Sequence, residues 1–285
     1  MNQDPRALAP SDPHGRTLAP SHPRTVLITG ASSGIGAAFA EVFAANGFDL
    51  VITARRDDRL RVEAARLEQA HRRRVHVIAC DLESRDAPAQ ICREVESRGV
   101  AIDALVNNAG YGVPGKYLAS PWERHEAMLN LMVMAVSELT YRLLPGMIER
   151  GYGRIINVAS LAGLVPAPAG HTLYAATKAF AIKFSEALAH EGRPHGVHVT
   201  AVCPGFTLSE FHDVTGTRAQ VSTLPSWMWM DARTVAGQGF DAVMEGTPIY
   251  INGRANRTIE SFVRHLPQPI VMWAGRRLGR SYRKT

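Results

Sequence analysis

The chain has 285 residues, 46% hydrophobic and 20% charged, enough to bury the core of one large α/β domain or two small ones. Its net charge of +6 sits in residues 254–285, where eight Arg/Lys face a single acid, Glu260. The remainder is near neutral, which argues against a nucleic-acid-binding body. No apolar run reaches the ~18–20 residues of a membrane span. The N-terminus lacks a charged-then-apolar signal pattern, so the cytoplasm is the expected address. Cys80, Cys92 and Cys203 are odd in number and widely spaced, which argues against a disulfide framework or a zinc site.

Residues 1–23 hold five prolines and a rough repeat, Arg6-Ala-Leu-Ala-Pro-Ser-Asp-Pro against Arg16-Thr-Leu-Ala-Pro-Ser-His-Pro. Proline at this density opposes both helix and sheet, so a disordered or extended leader is expected. From Arg24 onward, short apolar runs alternate with longer helical stretches. Strands are predicted at 25–29, 50–54, 75–80, 104–107, 154–158, 197–202 and 249–251, and helices at 35–46, 57–71, 87–98, 121–150 and 174–191. This alternation predicts a single-domain, doubly wound parallel sheet, the Rossmann arrangement, over residues 24–253. A substrate loop is expected at about 206–239 and a basic C-terminal extension at 254–285.

Thr29-Gly30-Ala31-Ser32-Ser33-Gly34-Ile35-Gly36 follows the first strand and opens the first helix. Glycines there allow a tight turn and close backbone approach, and the helix N-terminus offers free N–H groups to a pyrophosphate. The second strand ends at Arg55-Arg56, where an NAD site would carry an acid for the ribose hydroxyl. Arginine suits a 2′-phosphate instead, so NADP is the expected cofactor, with Arg55 the preferred contact. After the third strand come Asp81 and Leu82; Asp81 either accepts from an adenine amino group or caps a turn. Asn107-Asn108-Ala109-Gly110 ends the fourth strand, and an Asn amide there either fixes backbone near the nucleotide or stabilises a turn.

Tyr174 and Lys178 are four apart on a predicted helix and so share a face. A phenol with a pKa near ~10 is a poor acid–base catalyst at neutrality, and a nearby cation is expected to lower it. The chain holds only four lysines against 28 arginines, so lysine at this position runs against the background.

Taken together, TGASSGIG, Asn107-Asn108-Ala109-Gly110, Ser160, Tyr174-x-x-x-Lys178 and Pro204-Gly205 resemble the short-chain dehydrogenase/reductase family in order and spacing. The match runs from about Arg24 to at least Glu210. The flavour is similar to the DltE-like branch, itself similar to long-chain 3-oxoacyl reductases and hydroxysteroid dehydrogenases. The resemblance implies a catalytic tetrad of Asn130, Ser160, Tyr174 and Lys178. It implies cofactor contacts from Gly30, Ser32, Ser33, Gly34, Ile35, Gly36, Arg55, Arg56, Asp81, Leu82, Asn107, Ala109, Gly110, Tyr174, Lys178, Pro204, Gly205 and Thr207. Tyr174 would protonate a carbonyl oxygen as NADPH delivers hydride, Ser160 would orient that oxygen, and Asn130, mid-helix, would serve a proton relay through a functional kink or bound water.

Phe206, Phe211, Trp227 and Trp229 belong to an apolar Trp-Met-Trp-Met region that either lines a substrate pocket or packs as a core helix. The pocket reading predicts a hydrophobic ketone or alcohol substrate. The basic C-terminus either touches an anionic membrane or packs at an interface, and a homodimer or homotetramer is expected by resemblance. The expected activity is an NADP(H)-dependent ketone–alcohol oxidoreductase. The rivals are a nicotinamide-retaining epimerase or dehydratase, and a non-catalytic nucleotide sensor.

Overall fold

The computed structural model describes residues 23–113, 115–167, 169–208, 225, 228–267 and 269–270. Residues 1–22 of the expected leader, Phe211, Trp227 and the last fifteen residues of the basic tail lie outside them.

The buried apolar runs pair into one seven-stranded parallel sheet. Its strands are β1 (Thr25–Thr29), β2 (Asp49–Ala54), β3 (Val75–Ala79), β4 (Ala104–Asn107), β5 (Gly153–Val158), β6 (Val197–Cys203) and β9 (Ile249–Ile251), in the order β3-β2-β1-β4-β5-β6-β9. The chain first builds outward from β1 to β3 and then returns to place β4 on the other side of β1. That reversal leaves a crevice at the carboxyl ends of β1 and β4, where ligands bind in such sheets. A separate two-stranded parallel pair, β7 (Phe206–Leu208) with β8 (Trp229–Asp231), stands beyond the end of β6.

Helices cover both faces, as continuous apolar strands require. On one face α1 (Gly34–Ala45), α2 (Asp57–His71) and α7 (Ala232–Glu245) bury Phe39, Phe43, Leu60, Leu67, Val235 and Phe240 against β1, β2 and β4. Phe43 meets Phe48 and Phe240 edge-on, with ring centroids 5.0 Å apart in both pairs. On the other face α3 (Ala87–Ser97), α4 (Trp122–Leu129), α5 (Ala135–Glu149) and α6 (Thr172–Gly192) bury Ile91, Met128, Leu139 and Leu188.

Three expectations change. Helix α7 begins inside the segment expected to be a variable loop to 239, because Val235, Ala236, Phe240 and Val243 form a core-facing stripe. The helix expected over 121–150 is broken by a π turn at Asn130–Met134, where the Ala135 N–H reaches the Asn130 carbonyl. By length and composition alone, Trp122–Glu149 is also apolar enough to cross a membrane, contrary to the reading of the sequence. Its Met128, Leu131, Met132, Ala135, Leu139 and Met147 are spent on the core.

The basic C-terminal segment likewise begins as a structured element. Helix α8 (Arg254–His265) buries Asn256 and turns Phe262 to solvent.

Candidate active site

The carboxyl ends of the strands open into a cavity of about 530 Å³, within the range of small-molecule sites. At one end lies the glycine turn. Gly30 and Gly34 have φ of +67° and +58°, a region that side-chain-bearing residues avoid. Gly36 lies against the Gly30 carbonyl and the Asn108 amide so closely that a Cβ would collide with both. Asn108 clamps the turn: its Nδ2 donates to Thr29 O at 2.9 Å, while its backbone N–H donates to Thr29 Oγ1 at 2.9 Å. Ser33 precedes α1 in extended conformation and makes no side-chain cap. The first-turn N–H groups therefore retain their capacity to bind an anion.

The two arginines diverge after β2. Arg55 is mostly exposed and pairs with Glu83 at 3.2 Å. Arg56 turns inward, and its Nη2 donates to Ser32 Oγ at 3.1 Å and Ser33 Oγ at 3.3 Å. Asp81 lines the cavity and also accepts from the Glu83 N–H at 3.1 Å, the turn-capping role weighed from the sequence.

At the other end, β5 delivers Ser160, whose Oγ accepts from the Ala162 N–H at 3.1 Å. Helix α6 presents Tyr174 and Lys178 on one face. The Lys178 Nζ donates to the Val158 carbonyl at 2.7 Å and lies 5.7 Å from the centre of the Tyr174 ring. Tyr174, Lys178 and Ser160 all line the cavity.

The electrostatics differ from expectation. Burial pushes the Tyr174 phenol up to about 12, and the Ser160 hydroxyl opposes this. Burial also pushes the Lys178 ammonium down to about 8, with Cys203 opposing. Cys203 itself is pushed up to about 12 by burial, consistent with a packing role. Desolvation thus outweighs the Ser160 hydrogen bond, so the Tyr174 phenol is protonated at neutral pH.

Not every expected residue meets the cavity. Asn130 is on the π turn, and its Nδ2 donates to Glu83 O at 3.3 Å; its neighbour Leu131 lines the wall instead. Asn107 is buried on β4, donating to Asn157 Oδ1 at 2.8 Å and Thr140 Oγ1 at 3.3 Å. Among the described residues its Oδ1 has no partner, and the residue borders a separate void of about 10 Å³ shared with Asn157, Thr177 and Lys178. A strand-end Asn points to alternate faces with register, so Asn107 turns into the core while Asn108 reaches the turn. Phe206 lines the cavity, and Trp229 packs behind it across the β7–β8 pair with ring centroids 5.7 Å apart. Pro204, Gly205 and Thr207 line the same end, with Thr207 Oγ1 donating to Gly205 O at 3.2 Å.

Residues 24–219 match the family model described as short chain dehydrogenase. The chain belongs to the short-chain dehydrogenase family. It is 34% identical over 188 residues to the very-long-chain 3-oxoacyl-CoA reductase of Homo sapiens, covering 65% of this chain and 59% of that protein. The chain thus spans less than two thirds of that relative's length. Among solved structures, a short-chain dehydrogenase from Sphingobium yanoikuyae in complex with NADPH is 32% identical, with a TM-score of 0.74 and coverage of 86% of this chain and 96% of that one. A bulky-bulky ketone specific alcohol dehydrogenase from Comamonas testosteroni is 29% identical, with a TM-score of 0.70 and coverage of 87% and 96%.

This short-chain dehydrogenase has further cavity residues. Glu83, Tyr111, Asn256 and Ile259, which sequence reasoning passed over, line the wall, as do Met228 of the Trp-Met-Trp-Met region and His171, for which the sequence favoured a structural role over contact with the substrate. Burial keeps His171 below its ordinary range, so it is a neutral ring at pH 7, set edge-on to Tyr174 with centroids 6.2 Å apart. Its place three residues before Tyr174 was a usable signal. Asn256 and Ile259 had none, since they reach the cavity only because α8 folds back across the end of β6.

Proposed function

We propose that this short-chain dehydrogenase uses NADP(H) to interconvert a ketone and a secondary alcohol on an apolar small molecule. One observation carries the reading: Tyr174, Lys178 and Ser160 share a single cavity with the open N-terminus of α1 and the Arg56–Ser32–Ser33 cluster. The donor set fits a phosphorylated dinucleotide. The α1 N–H groups suit the pyrophosphate, and Arg56 with two hydroxyls suits a 2′-phosphate. Glu83 already neutralises Arg55, so Arg56 takes the role that the sequence order favoured for Arg55. The NADPH-bound relative supports the same cofactor.

When bound, the nicotinamide supplies the hydride that reaches the carbonyl carbon. The residues of this chain handle the oxygen. Tyr174 Oη gives its proton to that oxygen, and Ser160 Oγ–H donates to it and fixes its direction. Lys178 places positive charge behind the phenol and steadies the phenolate left after transfer. In the reverse direction Tyr174 takes the alcohol proton back. The π turn at Asn130 acts by setting Leu131 in the wall, with Asn130 itself in a positioning role.

Leu161, Val165, Phe206, Met228 and Ile259 give the reacting end an apolar wall, which favours a hydrophobic substrate. The human 3-oxoacyl-CoA reductase and the bulky-bulky ketone specific dehydrogenase, as named, agree with that class. Exposed Met134 and Tyr141, on the π turn and α5, support self-association through this face.

The test is NADPH consumption over ketones graded by chain length and ring size, with Tyr174→Phe as the blank. Oxidation of NADPH that rises with substrate apolarity and vanishes in the variant is expected. Tight NADPH binding with no turnover across the panel would turn the reading to a sensor. Product formed without net cofactor turnover would turn it to a redox-neutral reaction.

A further inference from the structure

Among the described residues, Asn256 is the one buried amide in the cavity wall that comes from beyond the family-matched residues. Several contacts lock it. Its Nδ2 donates to the Asn252 carbonyl at 2.7 Å and lies 3.7 Å from Met230 Sδ. Both are acceptors, which fixes the amide's orientation and leaves Oδ1 as the atom with capacity to spare. Among the described residues Oδ1 accepts no hydrogen bond, and it is not sealed from open space. Asn252 is in turn held by its own N–H to Cys203 O at 3.3 Å and by its Nδ2 to Gln238 Oε1 at 3.1 Å.

The backbone opposite is built around this amide. A Cβ on Gly205 would lie 2.6 Å from Asn256 Nδ2 and 2.7 Å from its Oδ1, so only glycine lets the β6 exit pass. Gly253, with φ of +81°, starts α8 at the angle that brings Asn256 there. An acceptor so rigidly placed is organised before any ligand arrives.

We propose that Asn256 Oδ1 accepts a hydrogen bond from the carboxamide –NH2 of the nicotinamide, making α8 part of the cofactor site. The inference rests on the NADP(H) reading above. The phosphate-binding features lie at the α1 end of the cavity and the proton donor at the α6 end. A dinucleotide spanning them must put its redox ring near Tyr174 and Gly205. That ring carries one hydrogen-bonding substituent, a primary amide, whose two N–H bonds need acceptors once out of water. Asn256 Oδ1 supplies one, beside the Thr207 hydroxyl and the Pro204–Gly205 backbone at the same end of the cavity.

The experiment compares NADP+ with its 3-acetylpyridine analogue, in which a methyl replaces the amide nitrogen. Dissociation constants are measured by titration calorimetry on the full-length wild type and Asn256→Leu, with thermal melts confirming the fold. Loss of one hydrogen bond predicts about tenfold weaker NADP+ binding in the variant, with the analogue changed less than twofold. Asn256→Asp keeps the acceptor, serves as a second variant where Leu fails to fold, and is expected to retain the preference for NADP+ over the analogue. Equal weakening of both ligands makes Asn256 a purely structural residue and overturns the proposal. A raised KM for ketone with cofactor affinity intact assigns the acceptor to substrate and overturns it too. Wild type that binds neither ligand removes the cofactor reading itself, a result distinct from the other two.

Discussion

Lys178 is the residue whose replacement separates stability from activity most sharply. The residue is only 7% exposed and its pKa falls from 10.5 to about 8. A shift of that size makes the buried charge cost about 3 kcal/mol at pH 7, since each unit is worth ~1.4 kcal/mol. Replacement by methionine keeps the stem and removes the charge. It also strands the Val158 carbonyl that Lys178 now satisfies, at roughly 1–2 kcal/mol. The balance predicts that Lys178→Met is about 1–2 kcal/mol more stable than wild type at neutral pH, a rise in Tm of about 2–5 °C, while ketone reduction collapses.

The sign with pH is specific. Because the folded pKa lies below the unfolded one, both states hold the proton below about pH 8 and the wild type bears the full cost. Between about 8 and 10.5 the folded state releases its proton first, so the wild type gains stability relative to the variant. The groups facing the ammonium are the Val158 carbonyl, Tyr174 and Cys203. Tyr174 and Cys203, both raised to about 12, lose stability as pH climbs past their unfolded values. That loss is common to both proteins and cancels in the difference. Thermal melts of wild type and Lys178→Met, without added cofactor, at pH 7 and 9.5 make the measurement. The variant's advantage is expected to close by about pH 9.5. A variant less stable at pH 7, or a gap that does not move with pH, would refute the argument that burial dominates this pair.

Other substitutions probe the rest of the site. Tyr174→Phe is expected to lower kcat for ketone reduction by about 10²–10⁴-fold with NADPH affinity unchanged in fluorescence titration; a variant retaining a tenth of the rate removes Tyr174 as the acid. Arg56→Ala is expected to weaken NADPH binding at least tenfold while leaving NADH nearly unchanged, because a charge-assisted phosphate contact is lost. Arg55→Ala should have the smaller effect, since Glu83 already pairs with it, and the reverse ranking would reinstate Arg55. Gly36→Ala drives a Cβ into the Gly30 carbonyl and the Asn108 amide, 2.5 Å away. Lost NADPH binding or a melting temperature several degrees lower is expected, and wild-type values for both would show that the turn relaxes.

How far the sequence could be read follows from the range of the interactions involved. The central strands are buried on both faces and show as apolar runs, so their positions were legible to within a residue or two. Tyr174 and Lys178 needed only helical spacing, and the glycine turn needed only its place between a strand and a helix. The π turn at Asn130 was half legible: an asparagine in mid-helix hinted at a kink, but the extra residue depends on how α4 and α5 together meet the sheet. The choice between Arg55 and Arg56 turns on the direction each takes past the end of β2 and on Glu83, which arrives from beyond β3. Asn107 and Asn108 were likewise separable only once register sent one into the core and the other to the turn.

The contrast reaches its limit at the redox end of the cavity. The proposed proton-handling groups lie just beyond β5 and on α6, close in sequence, whereas the wall around them is assembled by a return of the chain through β8, α7 and β9 into α8. Helix α7 was read as part of a loop because its apolar stripe faces a neighbour, α1, that the sequence does not adjoin. Asn256 follows Gly205 by about fifty residues, yet the missing Cβ of one makes room for the amide of the other. Local motifs therefore suffice to propose the reaction, because proton transfer needs only a few groups on rigid neighbouring elements. On the proposed reading, selectivity for cofactor and substrate depends on that long return, and the same set of proton-handling groups can serve different molecules when it changes. Substitutions in α8 should for that reason alter what the enzyme binds while leaving Tyr174 with its proton and its partner.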